Sequence, residues 1–422
     1  MRKPLAEIRV ALVEQHGPLA CQEMGRGAQR LAGGAFAAAV LLLAACTAQA
    51  IPWDAGGAIP PSDTPPAKRP DPNCAQSYAN DRPRGGPRVR FGIGPRLAGE
   101  AGSAQTTPTV PEDARKRDAA LLRLKGKRFL AVRLNRLFMA DGRKGIASFR
   151  RMAARYARLG LEVELQVRYH PRDSDDGNIA KWLRYVRSVV RAFGPNRAVT
   201  GLQITNEVNI SYSKNTSDGF YKRAVEALVQ GVIEAKRTSR RLGYDHQQIG
   251  FNYAFRSTGA VAADDAGFWR AVGRRGGARL RRATDWVGLD IYPGTFTPGL
   301  LFQAPIVDIG DSFLEGVAQV RECYMPLAGF GRSTPLRVEE TGYPTGPGRT
   351  EAAQVRATRE FVHAAVAYRG TYGISDFRWF GLRDNNSEGP NFQSFFGLLH
   401  DDYSPKPAYG VYRRLVARHG HR

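Results

Sequence analysis

Gly201-Leu202-Gln203-Ile204-Thr205-Asn206-Glu207-Val208-Asn209 is the stretch from which the fold is read. Apolar residues lead up to Asn206, and polarity then concentrates where a strand should open into a loop. In a parallel α/β barrel the chemistry sits at that end of a strand. A second carboxylate stands at a similar point in Leu336-Arg337-Val338-Glu339-Glu340-Thr341-Gly342-Tyr343-Pro344. Glu207 and Glu340 are 133 positions apart (340 − 207), room for about three β/α units, so only the fold can bring them together.

Working outward, short apolar or β-branched runs alternate with amphipathic stretches. The runs predict strands over Val89–Gly94, Phe129–Leu134, Leu161–Val167, Val199–Thr205, Gln248–Tyr253, Trp286–Ile291, Leu336–Glu340 and Ile374–Phe380. Ile179, Trp182, Val186, Val189 and Phe193 recur at helical spacing, as do Tyr221, Val225, Leu228 and Val232 behind a Ser217-Asp218 cap. Glu351–Tyr368 predicts a third helix, and Tyr409–Val416 a last one that closes the ring. Eight strands alternating with helices argue for a single (β/α)8 (TIM) barrel, of the α/β class, over 89–417. An open doubly wound sheet would want a glycine-rich turn after its first strand. Gly92-x-Gly94 starts one, but Leu97 stands where the third glycine belongs.

The ends differ in kind. Two arginines, Arg26 and Arg30, precede an apolar run from Leu31 to Ala45, too short for a membrane span of ~20 residues and fitting an export signal. Leu43-Ala44-Ala45-Cys46 resembles a bacterial lipoprotein box, which makes Cys46 the expected lipid anchor. Ala48-Gln49-Ala50 offers an ordinary cleavage site instead. Met24 is a better-placed start than Met1. The expected organisation is therefore 1–50 extension and signal, 51–88 a Pro/Gly-rich tether, 89–417 the barrel and 418–422 a frayed end. The expected location is outside the cytoplasm, secreted or anchored at a bacterial cell surface. There, Cys74 and Cys323 could form a disulfide, with two unpaired thiols as the alternative. No C-x-x-C motif supports zinc or redox chemistry.

The 422 residues carry a formal charge of +23. Arginines are spread over the chain, as at Arg150-Arg151 and Arg240-Arg241, with no aromatic-interleaved module, which argues against a nucleic-acid partner. Gly-x-Ser-x-Gly is absent, Gly346-Pro347-Gly348-Arg349-Thr350 lacks the Walker lysine context, and the seven histidines are scattered. No metal and no organic cofactor is called for.

Two carboxyl groups at strand ends suit glycosidic cleavage: one protonates the leaving oxygen and the other attacks or activates water. Arg133, at the end of the second strand, is the expected donor to Glu340, with Arg136 as the alternative. Tyr169, His170, Asn209, Asn252 and Asn385 are candidate polar contacts to a sugar. If its strand is regular, Glu339 points away from Glu340, toward the helices.

Several segments resemble the retaining glycoside hydrolases of clan A. Asn206-Glu207 on the fourth strand and Glu340 on the seventh resemble that clan's acid/base and nucleophile. Glu340-Thr341-Gly342-Tyr343-Pro344 looks like the nucleophile segment of family 17 β-1,3-glucanases and is similar to that of family 53 galactanases. Asp290-Ile291-Tyr292-Pro293 resembles the sixth strand end, whose tyrosine touches the nucleophile. Trp379-Phe380 matches the aromatic that floors the sugar subsite. Ala131-Val132-Arg133-Leu134 is similar to the second-strand arginine segment. The resemblance implies catalytic Glu207 and Glu340. It also implies substrate contacts from Arg133, Asn206, Tyr292 and Trp379, to which His170 and Asn252 are added as polar candidates. The implied activity is retaining hydrolysis of a β-linked polysaccharide, with β-1,3-glucan the first substrate to try. A non-catalytic glycan-binding barrel and a metal-dependent barrel hydrolase are the competing readings.

Overall fold

The computed structural model describes residues 81–95, 110–211, 214, 216–255, 265–295, 309–390 and 392–422. The signal run, Cys46, Cys74, Leu97 and most of the 51–88 tether lie outside these residues. Eight parallel strands close into a barrel in sequence order. They are β1 (Arg90–Ile93), β2 (Ala131–Phe138), β3 (Glu162–Arg168), β4 (Val199–Ile204), β5 (Gln248–Ala254), β6 (Trp286–Asp290), β7 (Leu336–Thr341) and β8 (Ile374–Trp379). The ring shuts where Phe91 of β1 pairs with Phe377 of β8. The helices between and after the strands are α1 (Ala114–Lys125), α2 (Gly142–Arg158), α3 (Ile179–Phe193), α4 (Ala224–Arg241), α5 (Asp265–Ala283), α6 (Ile309–Ala318), α7 (Glu351–Ala367) and α8 (Pro407–His419).

All eight predicted strands are present within a few residues of their expected bounds. β2 runs four residues further, because a bulge between Leu134 and Leu137 leaves Arg136 in left-handed backbone (φ 71°) and lets pairing with β3 resume. The helices form where their caps allow. Asn178 accepts from the Lys181 N–H at 3.0 Å to start α3, and Thr350 accepts from Ala353 to start α7. The Ser217-Asp218 cap is not used: α4 starts at Ala224, and Asp218 is drawn into the barrel rim instead.

Outward-facing strand residues make the core. Phe91, Phe377 and Tyr412 meet edge to face or tilted, with ring centroids 5.9–6.4 Å apart. Burying one such ring contributes about 1.5–3 kcal/mol. The interior of the ring is unusual for a barrel, where branched apolar side chains normally fill the layers. Here long charged side chains from β3, β7 and β8 cross the lumen, and glycines face them. A Cβ added at Gly92 would sit 2.4 Å from Arg378 Cδ, and one at Gly201 or Gly288 2.8 Å from Glu164 or Glu339 Cγ.

The floor corrects two expectations about the ends. Residues 82–88 are docked rather than tethered: Arg84 N donates to Thr371 Oγ1 at 3.0 Å, Thr371 Oγ1 donates to Arg82 O, and Arg369 Nε donates to Gly86 O. The C-terminus is paired rather than frayed, since Gly420 bridges to Val89 and His421 N donates to Val89 O at 3.0 Å. Both segments satisfy backbone groups that would otherwise be left open beneath the first and last strands.

Candidate active site

The mouth is built by irregularities at two strand ends. After β4 the chain passes through left-handed backbone at Thr205 (φ 66°) and Glu207 (φ 47°). Each such non-glycine residue costs of the order of 1–3 kcal/mol and must be held by its surroundings. Asp218 Oδ2 holds the Asn206 N–H at 2.9 Å, and Asn252 Oδ1 holds the Glu207 N–H at 2.9 Å. On β7, the pairing with β6 and β8 slips between Val338 and Thr341. That bulge turns both Glu339 and Glu340 into the lumen, which overturns the expectation that Glu339 faces the helices. Glu339 Oε2 lies 3.4 Å from Arg133 Nε.

The result is a convergence of carboxyls. One carboxylate oxygen from each of Glu207, Asp290 and Glu340 lies within 4.8 Å of the other two, and all three residues are buried. Glu340 is gripped from two sides: Arg133 Nη1 donates to Oε1 at 2.7 Å and the Tyr292 hydroxyl donates to Oε2 at 2.8 Å. Gln166 adds a longer contact to Oε1 at 3.4 Å. Arg133 is itself oriented by Gln203 Oε1 at 2.5 Å. Burial, the Glu340 charge and Asp218 push Glu207 up to about 8, against the opposing pull of Arg168 and Arg133. Burial and then Glu340 and Glu207 raise Asp290 well above the usual carboxyl range.

The predicted residues divide sharply. Arg133, Tyr292, Glu207 and Glu340 meet at the mouth. Asn206 joins them but is fully engaged: its Oδ1 accepts from Gln166 at 2.7 Å, Gln203 at 3.1 Å and Asn252 at 2.8 Å, and its Nδ2 donates to Thr216 O. Asn252 has no exposed surface, so it cannot touch a sugar; it links Glu207, Asn206 and Asp290. Trp379 is also fully buried. Arg378 beside it points into the lumen, so strand alternation sends Trp379 outward, onto Tyr412 of α8 at 6.1 Å. Phe380, Tyr292 and Phe396 form an aromatic cluster instead, with centroids 5.5–5.8 Å apart. His170 stacks on Phe138 at 4.2 Å, with Nδ1 2.7 Å from the Tyr221 hydroxyl. Burial first, then Arg168 and Arg136, push it down to about 4, against the Lys214 carbonyl, so it is neutral at pH 7.

Tyr169 is buried under α3, with its hydroxyl accepting from Gly177 N. Asn209 ties the loop after β4 to Ala254 of β5. Asn385, in the loop after β8, is fully buried, and its N–H donates to Ser394 O at 2.8 Å.

Sequence reasoning assigned no role in the site to four groups. Gln166 lies on β3, whose Glu162-Val-Glu164-Leu-Gln166-Val-Arg168 alternates polar and apolar, a legible sign of a lumen-facing row. Asp218 pairs with Arg168 at 2.8 Å and also accepts from the Tyr169 N–H. Lys406, fully buried, clamps Asp384 at 2.7 Å and Thr345 at 2.8 Å, joining the loops after β7 and β8. Asp290 sits inside the segment that sequence singled out for Tyr292.

No family model and no curated protein sequence matches this chain. Solved structures do. A family 1 β-glucosidase from Thermotoga maritima superposes with a TM-score of 0.54 at 11% identity, covering 81% of this chain and 100% of that one. The Thermotoga maritima β-glucosidase in complex with noeuromycin matches at 0.53 and 13%, over 79% and 96%. Its castanospermine complex matches at 0.53 and 12%, over 81% and 100%. At such identities the likeness speaks for the eight-stranded barrel, which this chain and those enzymes share.

Proposed function

We propose that the protein is an exported, retaining β-glycosidase. One observation carries this reading: buried carboxylate oxygens of Glu207 and Glu340 stand within 4.8 Å of each other at the mouth of a closed barrel. That spacing suits direct attack by one carboxylate. Inverting enzymes set their carboxyls ~6.5–9.5 Å apart to admit a water between them. The β-glucosidase complexes with noeuromycin and castanospermine add support for a glycan ligand on this barrel.

Glu207, held protonated by its surroundings, gives its proton to the glycosidic oxygen as the bond from that oxygen to the anomeric carbon breaks. A Glu340 oxygen forms the new bond to that carbon, and the released alcohol carries away the proton. Water then attacks the glycosyl ester and loses a proton to Glu207, and Glu340 leaves as carboxylate. Arg133 and Tyr292 fix Glu340 for both steps.

The substrate proposed is a β-linked polysaccharide, with β-1,3-glucan first among those to try. Export through the Leu31–Ala45 run, lipidation at Cys46 and a Cys74–Cys323 bridge complete the proposal and rest on sequence. The test is Glu340→Ala: hydrolysis of a β-glycoside panel should vanish, and azide should restore turnover with a product of inverted anomeric configuration. An unchanged rate in that variant would falsify the assignment. Binding of glycan by the parent without release of reducing ends would favour the non-catalytic reading. Because three carboxylates converge, a metal-dependent hydrolase is the other reading, and loss of the parent's activity with a chelator would favour it.

A further inference from the structure

Asp290 belongs to the mouth but has no part in the steps above. It ends β6, is 1% exposed, and pairs in register with Glu340 of β7. Its Oδ2 accepts from Asn252 Nδ2. Its Oδ1 is buried with no hydrogen-bond partner. Asn252 uses its other end, Oδ1, to accept the Glu207 N–H at 2.9 Å. Asp290 is thus one of two acceptors, with Asn206 Oδ1 at 2.8 Å, that fix which way the Asn252 carboxamide faces, and the carboxamide in turn holds the strained backbone of Glu207.

The unpaired oxygen adds a second point. A buried carboxylate oxygen with no donor is costly, and this one belongs to a group that shares the mouth with Glu207 and Glu340. The charged and titratable neighbours are Glu207 from β4, Glu339 and Glu340 from β7, Arg133 from β2 and Tyr292 beyond β6. Three of these five are acids and only Arg133 brings positive charge, already shared with Glu340 and Glu339. Three carboxyls cannot all be ionised around one guanidinium in so small a space. An oxygen without a donor is where a proton can sit.

We propose that Asp290 is a positioning residue for Glu207, orienting it through Asn252 and sharing a proton with it across the mouth. This rests on the reading of Glu207 as the acid. The two acids titrate as a pair, so the high-pH limb of activity belongs to both. Each of the two carboxylates, once ionised, opposes ionisation of the other, so the pair gives up its second proton at higher pH than either acid would alone.

The test uses Asp290→Asn and Asp290→Leu, with the pH profile of kcat/KM on an aryl β-glycoside that the parent hydrolyses. The asparagine variant keeps an acceptor for Asn252 and loses the repulsion. Its high-pH limb should move down by about one pH unit or more, with kcat/KM at its optimum falling less than in the leucine variant, which leaves Asn252 with Asn206 Oδ1 as its one remaining acceptor. Superimposable high-pH limbs in parent and Asp290→Asn overturn the proposal. So does a leucine variant as active as the asparagine one.

An infrared titration of the unliganded protein gives a readout that needs no turnover. The carboxyl band that titrates near neutral pH should move to lower pH in Asp290→Asn and also in Glu207→Gln, and a band unmoved in both overturns the proposal. If the parent hydrolyses no glycoside at all, the glycosidase reading falls, while the infrared titration still decides the proton sharing. If Asp290→Asn does not fold, Glu207→Gln carries that titration alone.

Discussion

The mouth of the barrel and the middle of its lumen hold the same kinds of residue in opposite protonation states. In the middle, Glu164 is buried yet held down to about 2, because the neighbouring Glu339 carboxyl and then Arg378, Arg337 and Arg133 favour its charged form. Asp376 lies between Arg337 at 3.2 Å and Arg378 at 2.6 Å and is likewise held below the usual carboxylate range. At the mouth, Glu207 and Asp290 are no more buried, but Arg133 is shared among several acids, and both are pushed up. Burial alone therefore does not set protonation in this ring. The balance between guanidinium groups and competing carboxyls within reach does. Glu339, at the boundary, is raised by burial and by the neighbouring Glu164 carboxylate.

Arg133 is the residue that spans both regions, so its loss should break the contrast most. Arg133→Met should lower kcat/KM by about a hundred- to a thousandfold, as for the loss of one preorganised donor in an active site. It should also cost about 3–5 kcal/mol of stability, because Glu164, Glu339 and Glu340 all lose a buried partner. Steady-state kinetics and urea unfolding at one pH read the two effects. Full activity with a large stability loss would place Arg133 wholly in the middle of the lumen.

The opposite signs give an intermediate effect on stability against pH. Glu207 has a folded-state value near 8, above its unfolded one, so the folded protein binds the extra proton and stability falls as pH rises from about 4.3 toward 8. Glu207→Gln should flatten that fall. Glu164 has a folded-state value near 2, below its unfolded one, so its contribution is present above about 4.3 and is lost as pH falls toward 2. Glu164→Gln should therefore cost most near neutrality and least in acid. Urea midpoints across pH for the parent and both variants check this, and parallel curves would erase the distinction between the two regions.

The smallest effect belongs outside the ring. Trp379→Phe should leave KM within about twofold and cost roughly 1–3 kcal/mol by cavity formation against Tyr412. Phe380→Ala should raise KM more, if the rim aromatics meet the sugar. Binding assays with an oligosaccharide rank the two, and a larger KM change at Trp379 would reverse the side assigned to each.

Much of this was legible in sequence. Alternating apolar runs give all eight strands, because period-two patterning survives in single strands. Glu207 and Glu340 were found from polarity rising at strand ends. The sign that Trp379 faces outward was also present, since Arg378 and Asp376 alternate with it. Glu339 was misdirected because a bulge belongs to pairing between strands and leaves no mark on one strand's own pattern. Asn252 looked like a sugar contact because its type suits one, whereas its two ends are spent on Glu207 and Asp290 across neighbouring strands. Asp218 looked like a helix cap for the same reason: only the assembled rim brings Arg168 and the Asn206 N–H to it.

The docked segment at 82–88 and the Gly420–Val89 bridge bring both described ends of the chain to the same pole, beneath the strands' starting edges. A bead or a fusion partner attached at either of these described ends would sit at the pole opposite the opening. The closeness of these two described ends also makes a circularly permuted version of residues 81–422 a practical design: a short peptide could join them while new termini are cut elsewhere in the circuit.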